Sequence, residues 1–155
     1  MTVQQPWAWA IVHGGKDVEN RTQAWSYRGP LAIHAGSRIS QRGVESPLID
    51  AAFHRRPHEV PLSDIRGCEA LGAIIGVVDM VDAHWCYGDP EDVGCCKPWG
   101  EVEYVEHGGR TRRDVVHLVL ENPRPLAEPI PARGRLGLWT PEDALLAQIR
   151  EQVPA

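Results

Sequence analysis

At 155 residues, with 43% hydrophobic and 24% charged side chains, the chain has the composition of one ordinary folded domain with a real core. No apolar run approaches the roughly 18–20 residues that span a bilayer, and the N-terminus lacks the basic, apolar and small-residue succession of a secretory leader, so a cytoplasmic location without a membrane partner is expected. A net charge of −5 argues against a dedicated coat protein for duplex DNA, yet residues 1–56 carry seven Lys/Arg against four Asp/Glu while residues 57–155 carry nine against 17. A positive face on an acidic body suits a small anion or a few nucleotides of single strand.

Met1 to Val3 leave room for the stub of a first strand. A short helix follows: Pro6 fits a first helical position, and Trp7, Ala10 and Ile11 fall at the spacing of one apolar face. That spacing places Trp7 in the core and turns Trp9 to the other, exposed side. Gly14 and Gly15 supply a left-handed stop. Asp17, Glu19 and Arg21 then alternate with Val18 and Asn20 as a strand with one charged face, and Lys16 stands at its mouth. Lysine, carboxylate and guanidinium converge there beside a tryptophan-rich helix. The plain alternative is a solvated ion pair of little worth.

Arg28-Gly29-Pro30 reads as a turn, and Leu31, Ile33 and Ala35 alternate with Ala32 and His34 as a second strand ended by Gly36. His34 therefore faces a cleft or solvent. Leu48, Ile49, Ala52 and Phe53 cluster at helical spacing in the later part of Ser37–Arg56, and His58–Gly67 reads as a loop. The run from Ala70 to Val81 is apolar and β-branched enough for a central strand, with Gly72 and Gly76 allowing bends or close backbone approach. His84–Gly109 changes character, with Trp85, Trp99, three cysteines and several glycines, and reads as a long, partly irregular loop. Val115–Leu120 is another strand, four prolines (123, 125, 129 and 131) force an extended connection, and Gly134–Trp139 is expected as the last strand. Thr140-Pro141-Glu142-Asp143 opens a terminal helix over 140–152.

The set Gly14-x-Lys16-x-x-Glu19-x-Arg21, preceded by Gln5-Pro6-Trp7-Ala8 and followed by Trp25, Tyr27-Arg28-Gly29-Pro30-Leu31 and Ile33-His34-Ala35-Gly36, closely resembles the ASCH domain family of the PUA-like superfamily. The resemblance covers nearly the whole chain as a single domain, residues 1–155. It implies an α+β fold: a small mixed β-barrel of PUA-like type surrounded by about three helices. It also implies binding of RNA, single-stranded nucleic acid or a nucleotide-like anion in a cleft beside the signature, with no cofactor.

On that reading Lys16 is the phosphate or anion contact, with Arg21 and Arg28 beside it; Glu19 and Arg21 are an orienting pair, Trp7, Trp9 or Tyr27 stacks a base, Glu19 or Gln5 reads a base edge, and Tyr27, Arg28 and His34 line the wall. A second reading is a hydrolase, either a ribonuclease or an amidohydrolase of modified nucleosides. There Lys16 and His34 are the catalytic pair, with His117 an alternative proton carrier. Glu19 stands where amidohydrolase-like members have a hydroxyl residue, and a carboxylate there opposes a base role for Lys16 by keeping it protonated. A third reading is a protein-interaction module using exposed tryptophans and the acidic loop.

No metal is assigned. Cys86, Cys95 and Cys96, with His84 nearby, are the zinc alternative, but Cys-x8-Cys-Cys lacks the close pairs of zinc knuckles and adjacent cysteines are awkward joint ligands. Free thiols are the simpler reading, Cys68 reads as a buried small hydrophobe, and Asp89-Pro90-Glu91-Asp92 reads as solvated loop.

Overall fold

The computed structural model describes residues 1–55, 70–86, 95–102, 105–107, 110–112 and 115–153. The predicted loop at 58–67, Cys68 and the acidic run 89–92 lie outside the described residues. In chain order the elements are β1 (Thr2–Gln5), α1 (Trp7–His13), β2 (Val18–Arg21), β3 (Gly29–Ile39), α2 (Gln41–Val44), α3 (Pro47–His54), β4 (Ala73–Trp85), β5 (Val105–His107), β6 (Arg110–Arg112), β7 (Val116–Pro131) and α4 (Asp143–Gln152). The fold is mixed α+β.

Five strands form one sheet in the order β1-β3-β4-β7-β2, and β5 pairs with β6 separately. β1 runs parallel to β3, and the other pairings are antiparallel. Among the described residues the edge strands β1 and β2 share no ladder, so the sheet is open and the expected barrel is not closed. Closure requires staggered backbone pairing of the two edges. Here a side chain crosses the gap instead: the Arg21 guanidinium donates to the Thr2 carbonyl at 2.7 Å.

The sheet is covered on both faces. On one, α1 packs Ala8, Ile11 and Val12 onto Ile33, Val78, Leu118 and Leu120. On the other, Ile149 of α4 packs onto Ile74, Val77, Leu126 and Ile130. The back of α1 is covered in turn, with Trp9 and Ala10 meeting Ile49, Ala52, Val18 and Trp99. A helix buried nearly all round is apolar nearly all round, and five consecutive residues of α1, Ala8 to Val12, are buried.

α1 seats closely because Gly76 lies beneath it. A Cβ at that position would stand 2.7 and 2.8 Å from the two Val12 methyls. This is the close approach expected of a strand glycine.

Several element assignments differ from the sequence reading. β4 runs on through His84 and Trp85, which therefore end a strand rather than begin a loop. Residues 134–139 are irregular, and the second face of the sheet is closed by this segment and α4. The terminal helix begins at Asp143 with Glu142 as its N-cap, and the prolines of 123–131 lie within the long strand β7.

Candidate ligand-binding site

The signature folds as a turn between α1 and β2. Gly15 adopts a φ of 74°, the left-handed stop expected of the pair, and the Lys16 amide closes the helix end by donating to the Ala10 carbonyl. The Lys16 side chain is then buried. Its amine donates to the Val18 carbonyl and to Glu19 Oε2 (3.1 Å), with the Trp7 ring centroid 5.9 Å away. Glu19 Oε1 pairs with Arg21 at 3.2 Å, and the Arg21 guanidinium lies 5.9 Å from the Trp25 ring centroid. Lysine, carboxylate and guanidinium thus meet as one half-sandwiched triad carrying one net positive charge. A solvated surface pair is excluded by burial, since the side chains are 3%, 11% and 12% exposed.

Burial lowers the Lys16 amine from the ordinary lysine value, and the facing Glu19 carboxylate works in the opposite direction. The net direction is downward, with burial the larger of the two effects.

A hollow of about 330 Å³ opens beside this turn, lined by Ile11, Gly15, Lys16, Asp17, Val78, Leu120, Glu121, Asn122 and Pro123. One lining residue, Asn122, is tied to an ion pair outside the lining. Arg124 reaches Asp79 with two bonds of 3.1 and 2.6 Å, and Asn122 donates to the same carboxylate at 3.0 Å. Hydrogen bonds from Arg124 and Asn122 hold the Asp79 carboxyl below its usual range. Asp17, Glu121 and Asn122 were not among the residues expected at the site; no motif marks them, because two of the three come from β7.

The other expected residues are dispersed. Gln5 is buried, accepts from the Trp9 amide at 2.9 Å and donates to the Ala70 carbonyl at 3.2 Å, so it braces the start of α1. Trp9 is fully buried and stacks on Phe53 with centroids 4.0 Å apart and planes 5° from parallel. It is a core ring, not an exposed one, because α3 covers that side of the helix. Tyr27 is 42% exposed and donates to the Pro30 carbonyl. Arg28 reaches back to the Trp25 and Tyr27 carbonyls and pairs with Asp82 at 3.2 Å.

His34 lies inside the protein, not in a cleft. The ladder shifts register between Ile33 and His34, and the ring packs beneath the segment after β7, bonded to the Ala132 carbonyl at 2.9 Å and edge-on to Trp139. Burial lowers its pKa, with the Ala132 carbonyl opposing.

Trp99 and Asn20 fasten the site from outside the signature. The Trp99 indole donates to the Gly15 carbonyl at 2.9 Å, and Asn20 exchanges bonds with the Trp99 carbonyl and the Glu101 amide.

The sequence profile of the ASCH domain matches residues 1–103, a span that holds the signature turn and strands β1 to β4. The chain belongs to the ASCH domain family. Among solved structures it is similar to ASCH from Zymomonas mobilis, with 12% identity, a TM-score of 0.51, and coverage of 97% of this chain and 92% of that one. It is also similar to a tyrosine-to-phenylalanine mutant of the same protein, at 14% identity, TM-score 0.51, and 96% and 94% coverage. At that identity the likeness speaks to the fold of this ASCH domain. Comparison with curated protein sequences returns no match. Among its described residues, no helix is long and apolar enough to cross a membrane.

Proposed function

We propose that this ASCH domain binds RNA or another single-stranded nucleic acid, holding one nucleoside unit in the hollow beside Gly15-Lys16-Asp17. The family is generally associated with RNA binding. The observation that carries the reading is the hollow itself: a concave volume of about 330 Å³ running along the signature turn, at the lower end of the range for small-molecule pockets. Ile11, Val78, Leu120 and Pro123 offer apolar walls for a base, while Asp17, Glu121 and Asn122 offer acceptors and an amide to its edge. Carboxylates on the wall favour the amino groups of a base over a phosphate. The phosphate is left to the positive triad, whose Lys16 lines the hollow.

The test is fluorescence anisotropy with short labelled RNA and single-stranded DNA over a salt series. Salt-weakened binding, reduced at least several-fold in Asn122→Ala and in Asp17→Ala while both variants stay folded, is the expected result. Folded wild-type protein that binds neither polymer at low salt overturns the reading.

The hydrolase alternative draws support from one observation, the buried Lys16 amine with its lowered pKa. Its proposed partner His34 is bonded to Ala132 beneath the C-terminal segment. Product analysis in the same samples separates binding from turnover.

A further inference from the structure

Away from the hollow, His84 and His117 face each other as cross-strand partners on β4 and β7. The turn at residues 95–99 brings two cysteines over them. The ligand atoms of His84, Cys95, Cys96 and His117 all lie within 4.8 Å of one another. Cys95 Sγ is 3.5 Å from His84 Nε2 and 3.3 Å from His117 Nδ1, and Cys96 Sγ is 3.6 Å from His84 Nε2. Around tetrahedral zinc, a nitrogen at about 2.05 Å and a sulfur at about 2.3 Å stand about 3.6 Å apart. These three sulfur–nitrogen edges, at 3.3–3.6 Å, are close to that length. We infer that these four residues form a closed Cys2His2 site for a structural zinc ion.

The protonation of both rings is set in the way a metal requires. His84 Nδ1 lies 2.6 Å from Asp82 Oδ2, and His117 Nε2 lies 2.7 Å from the Glu101 carbonyl. Carboxylate and carbonyl oxygens only accept, so those nitrogens carry the hydrogens. The opposite nitrogens, Nε2 of His84 and Nδ1 of His117, present lone pairs to the sulfurs. Such outer partners are the usual support of metal-bound imidazole. Asp82 is itself held by Arg28 at 3.2 Å.

The backbone removes the objection to adjacent cysteines. In an extended chain consecutive side chains point apart, but Cys96 has a φ of 65°, uncommon for a residue other than glycine, and both sulfurs face the same point. Gly100 lets the turn close: a Cβ there would lie 2.9 Å from His117 Cε1 and 3.0 Å from Cys96 Cβ. Binding releases the two thiol protons to solvent, leaving thiolate ligands. With four protein ligands no position remains open for a substrate, so the role is to pin the turn that carries Trp99 and Glu101.

The test uses the full chain purified under reducing conditions. Plasma mass spectrometry after dialysis should find about one zinc per chain. Cobalt replacing it should give a tetrahedral visible spectrum with thiolate charge-transfer bands. Cys96→Ser should weaken those bands, His117→Asn should lose metal on dialysis, and Cys86→Ser should leave both readouts unchanged. Wild-type protein that keeps no zinc and gives no tetrahedral cobalt spectrum overturns the inference, and this readout requires no variant to fold. Loss of metal in Cys86→Ser with retention in Cys96→Ser overturns the ligand set. Oligonucleotide binding plays no part in the measurement, so its failure is distinguishable from failure of the proposed function.

Discussion

Arg21 and Thr2 are joined across the open side of the sheet, guanidinium to carbonyl at 2.7 Å, where a backbone ladder would otherwise be needed. The same guanidinium holds Glu19 at 3.2 Å, so one side chain serves the architecture and the candidate site together. Its Nε is buried without a hydrogen-bond partner among the described residues. Removing one member of a largely buried ion pair costs roughly 3 kcal/mol. Arg21→Ala is expected to lower stability by about that amount in urea unfolding. Arg21→Lys should recover only part of it, because an ammonium lacks the planar fork that serves both partners. Wild-type stability in Arg21→Ala would refute the role of this link.

Trp9 should matter to stability and not to binding. Its ring is fully buried against Phe53, and truncating such a residue to alanine costs about 3–5 kcal/mol. Trp9→Phe keeps an aromatic ring in place and should bind oligonucleotides as tightly as wild type once folding is corrected for. A specific loss of affinity in Trp9→Phe would return Trp9 to the ligand surface.

Gly76 and Val12 form a testable pair. A Cβ at Gly76 meets both Val12 methyls below 3 Å and the Arg124 carbonyl at 3.1 Å. Overpacking of this kind costs about 1–3 kcal/mol. Gly76→Ala should therefore destabilise, and the addition of Val12→Ala should cost less than Val12→Ala costs in the wild-type background. A double-mutant cycle by thermal unfolding measures that coupling, and strict additivity would show that the clash is absorbed elsewhere.

His34 predicts a pH effect with a definite sign. Its pKa in the folded chain lies below the ordinary 6.5, chiefly through burial. Below pH 6.5 the unfolded chain therefore holds more protons than the folded one, and stability must fall as pH drops from 6.5 through the folded pKa. The share contributed by His34 is fully present above 6.5. Unfolding midpoints from pH 8 to 5 should show this decline together with those of the buried Met1 amine, lowered to about 5, and of His117, also lowered by burial. His34→Gln should make the slope shallower below pH 6.5 without abolishing it. An unchanged slope in the variant would assign the effect to another group.

Much of this was legible along the chain. The signature turn, the helix before it, the strand at Leu31–Ala35 and the central strand with its glycine approach all follow from short-range patterns, and the triad is local in sequence. What stayed hidden depends on a second layer. Trp9 reads as exposed on a helical wheel because nothing local says that α3 docks there, and His34 reads as outward because nothing local says that the irregular segment after Pro131 covers the sheet. The zinc alternative in the sequence rests on neighbours along the chain, Cys86, Cys95 and Cys96 with His84. The pairing of β4 with β7 supplies His117 in place of Cys86. A cross-strand ligand leaves no spacing to read.

The pairing of β2 carries a consequence for how the site comes into being. Val18 to Arg21 form their ladder with Val116 to Val119 and, among the described residues, with no other strand. Those partners lie beyond residue 103, where the family match stops. During synthesis the signature is therefore made well before the strand it pairs with, and its ladder cannot form until residues 116–119 have been added. Pulse-labelled hydrogen exchange should find the amide of Glu19, which faces β7, among the last to gain protection. Early protection there would mean that the turn finds its shape alone.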